Sequence, residues 1–94
     1  MISLEQLSDE EWLVTVADRK TTQHRVKVEA ADVRRLGRGK FSARELLEAS
    51  SRFLLARESN ASILSSFDLT LIGRYFPEYE AQISDYLPQG PAPE

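Results

Sequence analysis

The sequence predicts one α+β domain, an N-terminal two-stranded antiparallel hairpin followed by three to four helices in the order β-β-α-α-α-α. Three observations carry that prediction. Ninety-four residues suit one domain and are too few for two. An apolar fraction of 41 % and a charged fraction of 29 % belong to a chain that folds. Apolar residues alternate with polar ones early in the chain and recur at helical spacing later.

Residues 12–17 and 22–28 read as the two strands because both are rich in β-branched side chains. In the second, His24, Val26 and Val28 share one face while Gln23, Arg25 and Lys27 share the other. Trp12, Val14 and Val16 are expected to join Val26 and Val28 on the buried face. The polar stretch 18–21 has the length of a hairpin loop. Ahead of the strands, Ser8-Asp9-Glu10-Glu11 matches a capping box and allows a single helical turn. Residues 30–36 read as a short helix, with Gly37 suited to a left-handed C-terminal cap.

The next helix is the clearest element. Ser42 and Glu45 form a capping-box pattern, and Ala43, Leu46, Leu47, Ser50, Phe53 and Leu54 make an apolar stripe in a helix running to about Glu58. Ser62-Ile63-Leu64 suggests one helical turn. Asp68 is placed to cap a helix over 69–75, with Leu71, Ile72 and Tyr75 facing inward. Pro77 suits the first turn of a final helix reaching about Leu87 and burying Tyr79, Ile83 and Tyr86. The remaining core candidates are Phe67 and the residues already named on the strands and helices. The domain is therefore expected over 1–87, with 88–94 as a disordered tail rich in proline.

Chemistry-bearing patterns are sparse. The chain has no cysteine, which removes disulfides, thiol catalysis and cysteine-ligated zinc. His24 is the one histidine, no serine sits in a Gly-x-Ser-x-Gly setting, and no calcium-loop spacing of carboxylates occurs. Gly37-Arg38-Gly39-Lys40 lacks the spacing of a phosphate loop and follows a helix rather than a strand. No catalytic, metal or cofactor site is predicted, and the chain is read as non-enzymatic; an enzyme built on Asp68 and Glu78 has no positive support. Residues 1–11 contain four acids and no base, unlike a signal peptide. No apolar run approaches the ~20 residues of a membrane span. A cytoplasmic location is expected.

Charge is unevenly distributed. Residues 1–18 carry five acids and no base, residues 19–44 carry nine bases against two acids, and the remainder is again acidic. The net charge is −3. Arg25, Lys27, Arg34, Arg35, Arg38, Lys40 and Arg44 are thus a candidate basic surface, unless the acidic segments neutralise them on packing. Tyr75, Phe76 and Tyr79, grouped around Pro77, read either as a corner locking two helices or as an aromatic partner surface.

One resemblance extends over most of the chain. The stretch Arg52-Phe53-Leu54-Leu55-Ala56-Arg57-Glu58-Ser59, then Ser62-Ile63-Leu64, Phe67-Asp68-Leu69 and Arg74-Tyr75-Phe76-Pro77-Glu78-Tyr79-Glu80, together with Trp12 and the strand 22–28, resembles a small family of bacterial proteins without an assigned activity. The resemblance implies a bacterial cytoplasmic protein and supplies no mechanism.

Two functions are in view. The first is a non-enzymatic protein-interaction module, self-associating through its small core and uncovered hairpin or docking a partner at Tyr75, Phe76 and Tyr79. The alternative is a nucleic-acid-binding regulator of ribbon–helix–helix type. There, strand 22–28 would present Gln23, Arg25 and Lys27 to a groove. No membrane partner is expected.

Overall fold

The computed structural model describes residues 1–88. The expected tail therefore lies outside the described residues, apart from the exposed Pro88. The strands are β1 (Ile2–Gln6), β2 (Glu11–Ala17), β3 (Thr21–Lys27) and β4 (Ser66–Asp68). The helices are α1 (Ala30–Gly37), α2 (Ala43–Leu55), α3 (Leu71–Tyr75) and α4 (Tyr79–Tyr86), with a 3-10 turn at Asn60–Ser62. No helix among the described residues is long and apolar enough to cross a membrane.

The α+β class and the central hairpin are present, but the two-stranded expectation is corrected. The sheet has four strands in the order β1-β2-β3-β4. β1, β2 and β3 form an antiparallel meander, and β4 returns after α1 and α2 to lie parallel to β3, with Val26 beside Phe67. Both extra strands lie where local signals are weak. In β1, Ile2 and Leu4 alternate with Ser3 and Glu5, a period-two pattern overshadowed by the acids that follow. β4 is three residues long and exists by pairing, since so short a run has no periodicity to read.

Ser8 illustrates the ambiguity of the capping-box pattern. Its hydroxyl does accept the Glu11 N–H, at 3.2 Å. The chain nonetheless turns from β1 into β2 there instead of starting a helix, because Leu7 N–H donates to Glu11 C=O at 2.7 Å and closes the ladder. Tertiary pairing overrides the local preference.

The helices cover one face of the sheet. Trp12, Val14, Val16, His24 and Val26 point into that face and are buried, as the alternation predicts. α2 is the central helix. Leu46, Leu47, Ser50, Phe53 and Leu54 are buried, joined by Ala49 and Ser51. Its start is fixed by the capping box, with Glu45 N–H donating to Ser42 Oγ at 3.1 Å and Ser42 N–H donating to Glu45 Oε1 at 2.9 Å. α2 ends at Leu55, short of Glu58. α1 extends through Gly37, so the left-handed conformation falls on Arg38 (φ 55°) and Gly39 (φ 72°) and not on Gly37.

Two more expectations change. α3 begins at Leu71, preceded by a turn in which Asp68 Oδ1 accepts from Thr70 N–H (3.0 Å) and Thr70 Oγ1 (2.9 Å). Ile72 is buried but Tyr75 is 65 % exposed, the reverse of its expected inward orientation. A five-residue helix aims few positions at the core: within α3 it is Ile72, flanked by the buried Leu69 before the helix and the half-buried Phe76 after it. Phe67 and Leu71, expected in the core, are half-buried, while Leu36 and Leu87 join it.

Candidate functional site

An apolar concavity lies beside β4. Its volume is about 380 Å³, and its walls come from the end of α2 (Leu54, Glu58), the segment Ser62-Ile63-Leu64, Phe67 of β4, and Leu71, Ile72, Tyr75 and Phe76 of the α3 region. Two large apolar side chains stand open at it, Tyr75 at 65 % and Leu64 at 48 % exposure. The groove exists because three segments distant in sequence are pinned together.

The first pin is His24. Its Nδ1 lies 2.7 Å from the Leu64 carbonyl and its Nε2 lies 2.8 Å from Thr22 Oγ1. A carbonyl only accepts, so Nδ1 carries the proton and donates, and Nε2 accepts from the Thr22 hydroxyl. The second pin is Asn60, 5 % exposed, whose Nδ2 donates to Lys20 C=O at 2.9 Å and to Val16 C=O at 3.3 Å. Both side chains bind the 60–64 segment to the β2–β3 hairpin.

The third pin is aromatic. Phe53 is fully buried and meets Phe76, Tyr79 and Tyr86 edge-on, with centroids 5.9, 5.1 and 5.7 Å away. Arg57 lies over the Phe53 ring, 3.7 Å from its centroid. Its guanidinium donates to Glu78 Oε2 (3.0 Å), Gln82 Oε1 (2.7 Å), Tyr86 OH (3.4 Å) and the Phe53 carbonyl (3.2 Å). Its own backbone N–H first, and Arg57 second, hold the Glu78 carboxyl below the usual carboxylate range.

The sequence-predicted aromatic trio is thus divided. Tyr79 is 1 % exposed and belongs to the core. Its hydroxyl lies 2.6 Å from Ser50 Oγ, and burial pushes its pKa up to about 12. Phe76 is half-buried and lines the groove; Tyr75 forms its rim. The apolar wall of the groove brings together Tyr75, Phe76, Leu64, Phe67 and Leu71. Leu64 reads from the sequence only as part of the Ser62-Ile63-Leu64 turn, and nothing local places it beside Tyr75.

The seven candidate basic residues are also dispersed. Arg25 and Lys27 lie on the uncovered face of the sheet, opposite Ser66 and Asp68 in register. Lys27 approaches Glu29 at 3.8 Å, and Arg35 pairs with Glu80 (2.6 Å) and Asp32 (3.3 Å). The Glu80 hydrogen bond, ahead of the Asp32 contacts, raises the Arg35 pKa. Arg44 donates to the Leu4 carbonyl at 3.4 Å. Arg34, Arg38 and Lys40 are exposed on and after α1. Packing has neutralised part of the basic middle internally. β3 has β2 along one edge and β4 along part of the other, whereas a ribbon–helix–helix strand must be free to pair with a second chain.

Among the described residues one carboxylate trio, Glu29, Asp32 and Asp68, lies within mutual ligand distance. Each already has a partner, in Lys27, Arg35 and Thr70 respectively. Among the described residues Glu58 is the one charged residue lining the groove, and the His24 ring is committed to Thr22 and Leu64. The arrangement is suited to holding an apolar segment. No family model, curated protein or solved structure matches the chain.

Proposed function

We propose that this chain is a non-enzymatic protein-interaction module whose partner docks in the groove between β4 and α3. The observation that carries the reading is the open aromatic and aliphatic rim of Tyr75 and Leu64 over a floor of Phe67, Leu71, Ile72 and Phe76. A volume near 380 Å³ falls within the range of roughly 300–1,000 Å³ typical of small binding pockets. Tyrosine at such a rim combines large contact area with a polar tip.

The lining supports a partner of complementary chemistry. It is apolar except for Glu58, Ser62 and the Tyr75 hydroxyl, and it contains no base. The complementary ligand is a short segment of another protein with two or three large apolar side chains and a lysine or arginine near Glu58. Rigid pinning of the groove by His24 and Asn60 lowers the ordering cost on this side of the interface.

Panning a displayed random-peptide library on the full chain tests the reading. Enriched peptides are expected to be apolar with at least one basic residue, and to lose binding to a folded Leu64→Ser/Tyr75→Ser variant. Failure to enrich any peptide, or equal binding to that variant, would refute the proposal.

A further inference from the structure

A second surface, separate from the groove, lies at the opposite edge of the sheet. Among the described residues β1 is the terminal strand, paired only with β2. Met1 and Ala17 exchange both backbone hydrogen bonds (2.9 and 2.8 Å), and Leu7 N–H bonds Glu11 C=O at 2.7 Å. Bonding alternates along an antiparallel pair, so the odd-numbered residues of β1 bond inward. The N–H and C=O groups of Ile2, Leu4 and Gln6 therefore point outward along the free edge. Such an edge is a template for another strand. One of these carbonyls already draws a donor, since Arg44 reaches the Leu4 oxygen at 3.4 Å.

We infer that β1 pairs with β1 of a second copy of this chain, antiparallel about a two-fold axis at Leu4, joining the two four-stranded sheets into one. Three features select the second copy and this register. The outward residues are symmetric about Leu4, so Leu4 meets Leu4 and Ile2 meets Gln6, each exchanging both backbone bonds. Leu4 and Ile2 share the helix-covered face and are only half-buried in one copy, so the pairing covers them further. On the uncovered face Ser3 meets Glu5. Centring the axis on Glu5 would instead place two carboxylates directly opposite each other, which is destabilising. Arg44 competes with the second copy for the Leu4 carbonyl and moves aside on pairing.

Sedimentation equilibrium of the full chain from micromolar to millimolar concentration, combined with amide hydrogen exchange, tests this. A concentration-dependent dimer is expected, with protection of the Ile2, Leu4 and Gln6 amides rising as dimer forms. The Ser3 side chain is exposed and its inward bonds to Thr15 are made by the backbone, so its side-chain variants report the interface. Ser3→Glu sets a carboxylate against Glu5 of the other copy at two symmetric places and is expected to weaken dimerisation about 2- to 30-fold, while Ser3→Lys strengthens it by a similar factor. A chain that stays monomeric at millimolar concentration overturns the inference. So does a dimer in which the three outward amides stay unprotected, or in which the two Ser3 variants shift the equilibrium the same way. Groove-peptide binding is read separately, so failure here leaves the groove reading intact, and the converse holds.

Discussion

Tyr79 and Ser50 form a buried hydrogen-bonded pair whose two halves are unequal. Ser50 has one hydroxyl proton and gives it to the Leu46 carbonyl at 2.8 Å. The 2.6 Å contact between the two hydroxyls must then be Tyr79 donating to Ser50. Tyr79→Phe removes one donor and leaves Ser50 still bonded to Leu46; its cost is about 0.5–1.5 kcal/mol, that of an ordinary hydrogen bond. Ser50→Ala removes the acceptor and strands the Tyr79 hydroxyl in a site where the residue is 1 % exposed. An unsatisfied buried donor costs about 1–3 kcal/mol. The double variant strands nothing and is expected to be more stable than Ser50→Ala alone. Urea unfolding of the four chains, read as a double-mutant cycle, measures this. Equal losses for the two single variants, or strictly additive losses, would show that the hydroxyls are not coupled as described.

The same residue gives a pH dependence. Burial raises the Tyr79 pKa from 10.0 to about 12, so the folded state holds the neutral phenol. Its contribution is fully present below pH 10 and is lost as pH rises from 10 to 12, by about 2–3 kcal/mol in total. The difference in stability between the natural chain and Tyr79→Phe should change over that window and stay flat below it. Asn60→Ala leaves Lys20 and Val16 carbonyls without their side-chain donor and should cost about 1–3 kcal/mol by thermal or urea unfolding. Trp12 carries a buried Nε1–H with no acceptor among the described residues. Trp12→Phe removes that orphan donor while losing some packing, so a net change under about 2 kcal/mol is expected by circular dichroism melts, and a larger loss would contradict the assignment. Arg57→Met should lower the melting temperature and raise the Glu78 pKa toward the usual range, measured by carboxyl NMR titration. The Glu78 contribution is present above its unfolded pKa and fades as pH falls through the depressed folded value.

Sequence patterns reached the structure where they were local and strong. The alternation of Val14, Val16, Val26 and Val28 and the Ser42–Glu45 cap appear as read, because each follows from residues within one or two turns of chain. β4 escaped because its existence depends on Val26, about forty residues away, and on the Leu69 N–H reaching Lys27 C=O at 2.9 Å. Tyr75 and Tyr79 show the limit most clearly. Both are tyrosines beside one proline, yet one is the most exposed aromatic rim and the other is sealed against Phe53 and Ser50. Their difference is set by where the helices dock, and composition does not encode docking. The groove, assembled from three separated segments, was legible only as its parts.

His24 and Asn60 bridge to partners forty residues away, at Leu64 and Lys20. Such contacts close long loops that contain α1 and α2, so they cost more chain entropy than pairing neighbouring strands. The meander β1–β3 pairs strands that adjoin in sequence, whereas the groove draws its walls from α2, β4 and α3. A ligand of the proposed kind would therefore distinguish finished chains from partly folded ones, and chains weakened by Asn60→Ala should bind it in proportion to their folded fraction.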